Sequence, residues 1–160
     1  MRRLALPSLV LAVVALDQWT KQLARAVLPL SPRTYAGGVL QLLYTENEGA
    51  FLSFGSTLSP AVRTLVFTGA VGVAVLVAIW ALITGRVKGA DAVAVALIAA
   101  GGIGNLIDRV MRSGRVTDFI YLAAGPVHTG VFNVADMAIT GGVIWLFISS
   151  FLHPRPAEAA

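Results

Sequence analysis

The chain has 160 residues, 57% of them hydrophobic and only 12% charged, with a mean hydropathy of +0.81. Soluble domains carry about 25% charged residues, so a water-soluble globule is excluded; the solvent for most of this protein is lipid. The net charge of +4 does not point to nucleic acid, because the twelve Lys and Arg stand singly at the ends of apolar runs rather than in a basic stripe, and the absence of cysteine removes disulfides and thiolate chemistry.

The first apolar run extends from Leu4 to about Ala26 behind Arg2 and Arg3, interrupted by Asp17 and Lys21. Its basic start and the small residues Ala12 and Ala15 also fit a cleaved signal peptide, but Asp17 to Arg25 continues at helical spacing past any cleavage point. A stretch of some forty residues follows, in which Val39 to Tyr44, bounded by Gly37-Gly38 and Thr45-Glu46-Asn47, reads as a strand. Leu65 to Thr84 is free of charge and long enough for the roughly 30 Å hydrocarbon core. A tight turn, Gly85 to Gly89, leads into a third run from Ala92 to about Val110, whose Gly101, Gly102 and Gly104 admit a close neighbouring helix. Val116 to Leu122 and Val131-Phe132 read as strands, and the last run, about Val134 to Leu152, is stopped by His153-Pro154-Arg155-Pro156.

The expected fold is therefore an all-α polytopic membrane protein: a single membrane domain over residues 1–160, with spans at about 4–26, 63–84, 91–110 and 134–152. Four alternating spans put both long loops on one face. A small β element built from those two loops would pair backbone groups that cannot stay unpaired near lipid. Counting Lys and Arg does not orient the bundle, because taken literally it would put the termini outside, while the two-charge turn Arg86 to Lys88 argues the reverse.

Four of the five aspartates (Asp17, Asp108, Asp118, Asp136) fall at or near the loop-side ends of the spans. A charge at bilayer depth costs roughly 2.5 to 3.5 kcal/mol on insertion scales, so each needs a reason. Asp118 lies just outside the third span and Asp136 in the first turn of the fourth; if the segment between them closes, the two carboxylates meet at the membrane surface and can share a proton. The plainer reading is that Asp136 belongs to a helix capped by Asn133 and that Asp118 ends a strand, and the residues alone leave both readings open. Asp17 and Lys21, four apart, read as a structural ion pair with Arg25 a turn further on, and Asn105, Asp108 and Arg109 either orient the aspartates, bind headgroups or pack among the glycines. No HExxH motif occurs, neither lysine stands near a motif serine, and Gly102-Ile103-Gly104 is followed by Asn105 rather than by the Asp of a GxGD signature. Aspartyl chemistry survives this elimination.

Taken together, the motifs resemble the bacterial lipoprotein signal peptidases over nearly the whole chain. Asp17-Gln18-Trp19-Thr20-Lys21 is similar to the family's first motif, Asn47-Glu48-Gly49-Ala50 to its second and Gly101 to Arg109 to its third; Val116 to Phe119 and Phe132 to Asp136 are similar to the fourth and fifth. In the second motif Phe51-Leu52 replaces the usual continuation. The resemblance implies a membrane aspartyl endopeptidase of the bacterial inner membrane, with cytoplasmic termini and its β element and site at the outer face. It implies Asp118 and Asp136 as catalytic residues, no metal or organic cofactor, and Asp17, Lys21, Asn47, Gly49, Asn105, Asp108, Arg109 and Asn133 as residues that bind substrate or support the dyad. Its partners would be lipid-modified prolipoproteins and membrane lipid, not nucleic acid, and a monomer would suffice. The rivals from other classes are a small transporter, which calls for midplane carboxylates and an internal repeat, and a noncatalytic membrane scaffold.

Overall fold

The structure is a computed structural model that describes residues 2–48 and 59–152. Gly49 and the Phe51-Leu52 departure lie outside these residues. Helix α1 runs over Arg2–Val27, α2 over Pro60–Ile83, α3 over Gly89–Met111 and α4 over Val134–Leu152. All four are long and apolar enough to cross a membrane, as the sequence leads one to expect. Strands β1 (Arg33–Tyr35) and β2 (Leu40–Asn47) come from the first long loop, and β3 (Val116–Ala124) and β4 (Val127–His128) from the second. They form one antiparallel sheet in the order β1-β2-β3-β4.

The sheet differs in detail from its expected outline. β2 runs on through the polar Thr45-Glu46-Asn47, because the partner strand supplies the ladder: Thr45 pairs with Asp118 and Asn47 with Val116. Tertiary pairing overrides the weak strand preference of these residues. Val131-Phe132 contributes only a bridge, Ile120 to Phe132, and the three exposed residues of β1 carry no alternation that would announce a strand.

Helix α3 is the axis of the bundle. Half of its apolar span is buried, against 6% for α2, which turns most of its surface to lipid. The glycines of α3 make this centrality possible. A methyl at Gly102 would stand 2.5 Å from Val75 of α2, one at Gly104 would stand 2.6 Å from Asp17 Oδ2 of α1 and 3.3 Å from Ala135 Cβ of α4, and one at Gly101 would overlap the Ala135 carbonyl. Three helices therefore approach α3 at its glycines, α4 at Gly101 and Gly104, α1 at Gly104 and α2 at Gly102, where the motif required only one. The sheet is seated on the loop-side end of the bundle by a cluster of Ala24, Leu28 and Phe119, against which Leu42, Tyr44, Ile120 and Val134 pack.

Gly104→Ala should lower the thermal unfolding midpoint in detergent, with a cost of about 1–3 kcal/mol from overpacking at the meeting of α1, α3 and α4. Gly72→Ala in α2, whose added methyl meets nothing within 4 Å, should be neutral or should raise the midpoint through better helix propensity. Equal midpoints for the two variants would contradict this packing.

Candidate active site

The loop-side end of α4 is organised by its own cap. Asn133 Oδ1 accepts from the Asp136 amide at 3.0 Å, and Asp136 Oδ2 accepts from the Asn133 amide at 3.1 Å. This reciprocal capping box satisfies two amides that the first helical turn leaves open. The cap reading of Asp136 is thus correct, and it leaves Oδ1 available, which accepts from Asn105 Nδ2 of α3 at 2.8 Å.

Asp118 is the third residue of β3, within the strand rather than at its end. The Phe119 and Ile120 amides both donate to the Phe132 carbonyl, and the Phe132 amide donates back to Ile120. These bonds close the segment between the aspartates and lay Asn133 against Asp118, to whose Oδ1 it donates through Nδ2 at 2.6 Å. One asparagine thus holds both acids, Asp118 through its side chain and Asp136 through its backbone. On the other side, Asn47 Nδ2 donates to Asp118 Oδ2 at 3.0 Å. That contact depends on an irregularity of β2, whose register shifts between Leu42, opposite Ile120, and Thr45, opposite Asp118. Without the extra residue the even-numbered side chains would share the face of Asp118; the bulge turns Thr45 and Asn47 toward it.

Asp118 is almost wholly buried, at 2% exposure. Burial pushes its carboxyl up to about 6; the bond from Asn47 pulls it down, the charge of Asp136 pushes it up again, and Asn133 and Lys21 oppose. The two aspartates line a cavity of about 1200 Å³ together with Asn47, Phe132, Ile139 and Thr140. Arg109, in the last turn of α3, feels the charges of Asp136, Asp118 and Asp108, and its Nε and Nη1 are buried with no hydrogen-bond partner among the described residues.

Beneath the aspartates lies a fully buried lysine. Lys21 Nζ meets Asp17 Oδ2 at 2.9 Å, Asn105 Oδ1 at 2.9 Å and Asp108 Oδ2 at 3.4 Å. Each partner reaches onward to a different element: Asp17 Oδ1 accepts from the Ala135 amide at 2.9 Å, Asp108 Oδ2 accepts from the Thr117 amide at 2.9 Å, and Asn105 Oδ1 also accepts from Asn133 Nδ2 at 3.2 Å. Asp17, Lys21, Asn105, Asp108 and Asn133, singled out in sequence, are therefore one network.

The family model described as Signal peptidase (SPase) II matches residues 9–152. This chain belongs to the signal peptidase II family. It is a multi-pass membrane peptidase of the aspartic type. The lipoprotein signal peptidase of Hydrogenovibrio crunogenus is 36% identical over 153 residues, covering 95% of this chain and 88% of that protein. That of Acinetobacter baumannii is 40% identical over 155 residues, covering 94% and 86%. A bacterial membrane enzyme structure obtained by the in meso method at 1.9 Å superposes with a TM-score of 0.71 at 27% identity, covering 94% of each chain. A second, at 2.3 Å, gives 0.69 at 25% identity over 97% of this chain and 94% of that one.

Three further residues bond to this network or line the cavity, although their sequence positions do not single them out. Gln18 Nε2 donates to Asp17 Oδ2 and to the Gly104 carbonyl. Thr117, fully buried, accepts from Arg25 through its hydroxyl at 2.9 Å. Glu46, at the rim of the cavity, accepts from Tyr44 and pairs with Arg115. Only Arg25, one turn beyond Lys21, carried a signal in its spacing.

Asp17→Asn should destabilise the folded peptidase by about 3 kcal/mol, because it leaves much of the Lys21 charge buried and uncompensated. Asp17→Asn combined with Lys21→Met should recover a large part of that loss in equilibrium unfolding from micelles. A double variant as unstable as the sum of its singles would show that the pair is not coupled.

Proposed function

We propose that this peptidase removes signal peptides from diacylglyceryl-modified prolipoproteins by cleaving before the lipidated cysteine, with Asp118 and Asp136 activating a water held between them. The supporting observation is the shared asparagine: Asn133 bonds to Asp118 through its side chain and to Asp136 through its backbone, and both acids open onto one cavity. Two facing carboxyls hold one proton between them. Burial raises Asp118, so it is the acid that keeps the proton and gives it to the scissile carbonyl oxygen. Asp136, which accepts two N–H bonds at the start of α4, takes the proton of the attacking water. The carbonyl carbon gains the water oxygen to form a gem-diol, which collapses with loss of the C–N bond as one hydroxyl returns its proton to Asp118 and the proton taken by Asp136 passes to the leaving amine of the cysteine. Neither a metal nor an organic cofactor takes part.

Asn47, Asn105 and Asn133 orient the two acids; Asp17, Lys21 and Asp108 hold the elements that carry them; and Gly49 helps position the substrate. Arg109, with two buried N–H groups free of partners among the described residues, donates to the substrate's main chain. The enzyme acts as a single membrane domain in the bacterial inner membrane, with cytoplasmic termini and the sheet and cavity at the outer face. The signal helix enters sideways from lipid, and the acyl chains stay in the bilayer, where each methylene contributes about 0.8 kcal/mol to holding the scissile bond at depth.

Asp118→Asn and Asp136→Asn should each reduce cleavage of a lipidated prolipoprotein by at least about 10²–10⁴-fold while the protein still inserts and purifies. Substantial turnover in either variant, read from the shortened product on a gel, would remove that residue from the mechanism.

The pH profile carries a second expectation. The working dyad has one proton, so kcat/KM should fall as pH rises through the titration of Asp118 at about 6. The Asn47 bond favours the ionised form, hence Asn47→Ala should let Asp118 keep its proton to higher pH and move this limb upward. A limb that stays in place or moves down would contradict the assignment of the proton.

A further inference from the structure

At their loop-side ends α1 and α3 leave a second pocket, which shares no lining residue with the dyad cavity. It has a volume of about 420 Å³ and is lined by Gln18, Gln22, Arg25, Asp108, Met111 and Arg112, with Ala26 at its edge. Its chemistry is set by how Asp108 divides its two oxygens. Oδ2 faces inward, to the Thr117 amide and Lys21. Oδ1 faces the pocket, where Arg25 Nη1 stands at 3.6 Å and Arg112 Nε at 4.0 Å. Both separations exceed a hydrogen bond. Three cations, Lys21, Arg25 and Arg112, thus draw on Asp17 and Asp108; Arg25 Nη1 also donates to Thr117 Oγ1 at 2.9 Å, and since each guanidinium carries five N–H donors, these acceptors among the described residues do not fill them.

The position adds a second constraint. Both arginines end spanning helices, where the backbone dipole favours cations, so the pocket lies at headgroup depth. The surfaces leading away from it along the helices are apolar and open, with Met111 77%, Val110 76% and Leu23 52% exposed. A ligand here meets two planar cations at one end and acyl-compatible surface at the other. Guanidinium forks match the paired oxygens of a phosphate.

We propose that this pocket binds the phosphodiester headgroup of an anionic glycerophospholipid, with Arg25 and Arg112 as the phosphate ligands. The site is separate from the peptidase reaction, and its test reads binding, not cleavage.

Full-length protein in detergent is mixed with phosphatidylglycerol and phosphatidylcholine of identical acyl chains in equal amounts, and retained lipid is counted by native mass spectrometry. The wild type should retain one phosphatidylglycerol in about tenfold preference, the equivalent of one charge-assisted contact. Arg112→Gln, at a partly exposed position, and Gln22→Glu, which offers the arginines a carboxylate from the exposed pocket wall, should each bring the ratio close to one without lowering the unfolding midpoint. Soluble glycerol 3-phosphate at the same concentration should leave the bound lipid in place. Equal retention of the two lipids by the wild type, or a preference that persists in both variants, would overturn the proposal. Displacement by glycerol 3-phosphate would also overturn it, in favour of a small phosphate ligand.

Discussion

A cation buried where membrane helices converge must be surrounded by acceptors, and the structure is arranged around the one that Lys21 represents. Breaking such a group's pairing costs about 3–5 kcal/mol, so its three partners, Asp17, Asn105 and Asp108, are held firmly in place. Each partner then fixes something that the lysine does not touch. Asp17 receives the Ala135 amide and so sets the first turn of α4; Asp108 receives the Thr117 amide and so sets the strand position before Asp118; Asn105 reaches both Asp136 and Asn133. The two acids are therefore located by one buried charge, through rigid helix and strand backbone rather than through the loops themselves.

This arrangement also explains where the polar residues can be. Asp118 lies on β3, outside all four spanning helices, and Asp136 lies in the first turn of α4. A transport path would need carboxylates at the midplane, whereas these stand at the end of the bundle, beside a sheet whose strands come from both long loops. The sheet pairs the backbone of both long loops with itself, as backbone groups close to lipid require. The bulge in β2 then brings Asn47 onto the same face as Asp118.

Much of this is legible in the sequence. The four spans follow from run length, the α4 cap from Asn133 and Asp136 at capping-box spacing, and the Asp17–Lys21 pair from a separation of four. The glycines of α3 announced a close approach, though not that three helices would share it. What escaped has a common physical cause: it depends on contacts between residues far apart in the chain. Arg25 meets Thr117, 92 positions away, and Lys21 meets Asn105, 84 positions away; no periodicity encodes either. The bulge is likewise invisible in the alternation of β2, because it is defined only by the strand opposite. Charge counting failed to orient the bundle because Lys21 is buried within the network and Arg109 is turned toward the charges of Asp136, Asp118 and Asp108, so neither is a headgroup anchor.

The central claim is that Asp118 and Asp136 act on each other as one acid pair. The chain has five aspartates, few enough for their side-chain carboxyl carbons to be followed individually by carbon-13 NMR of selectively labelled protein across pH, with assignment by Asp→Asn variants. The account predicts that the Asp118 carbon titrates at about 6, and that its midpoint falls in Asp136→Asn, where the neighbouring negative charge is gone. An Asp118 carbon that titrates in the ordinary range near 4, or one whose midpoint is unmoved by Asp136→Asn, would contradict it.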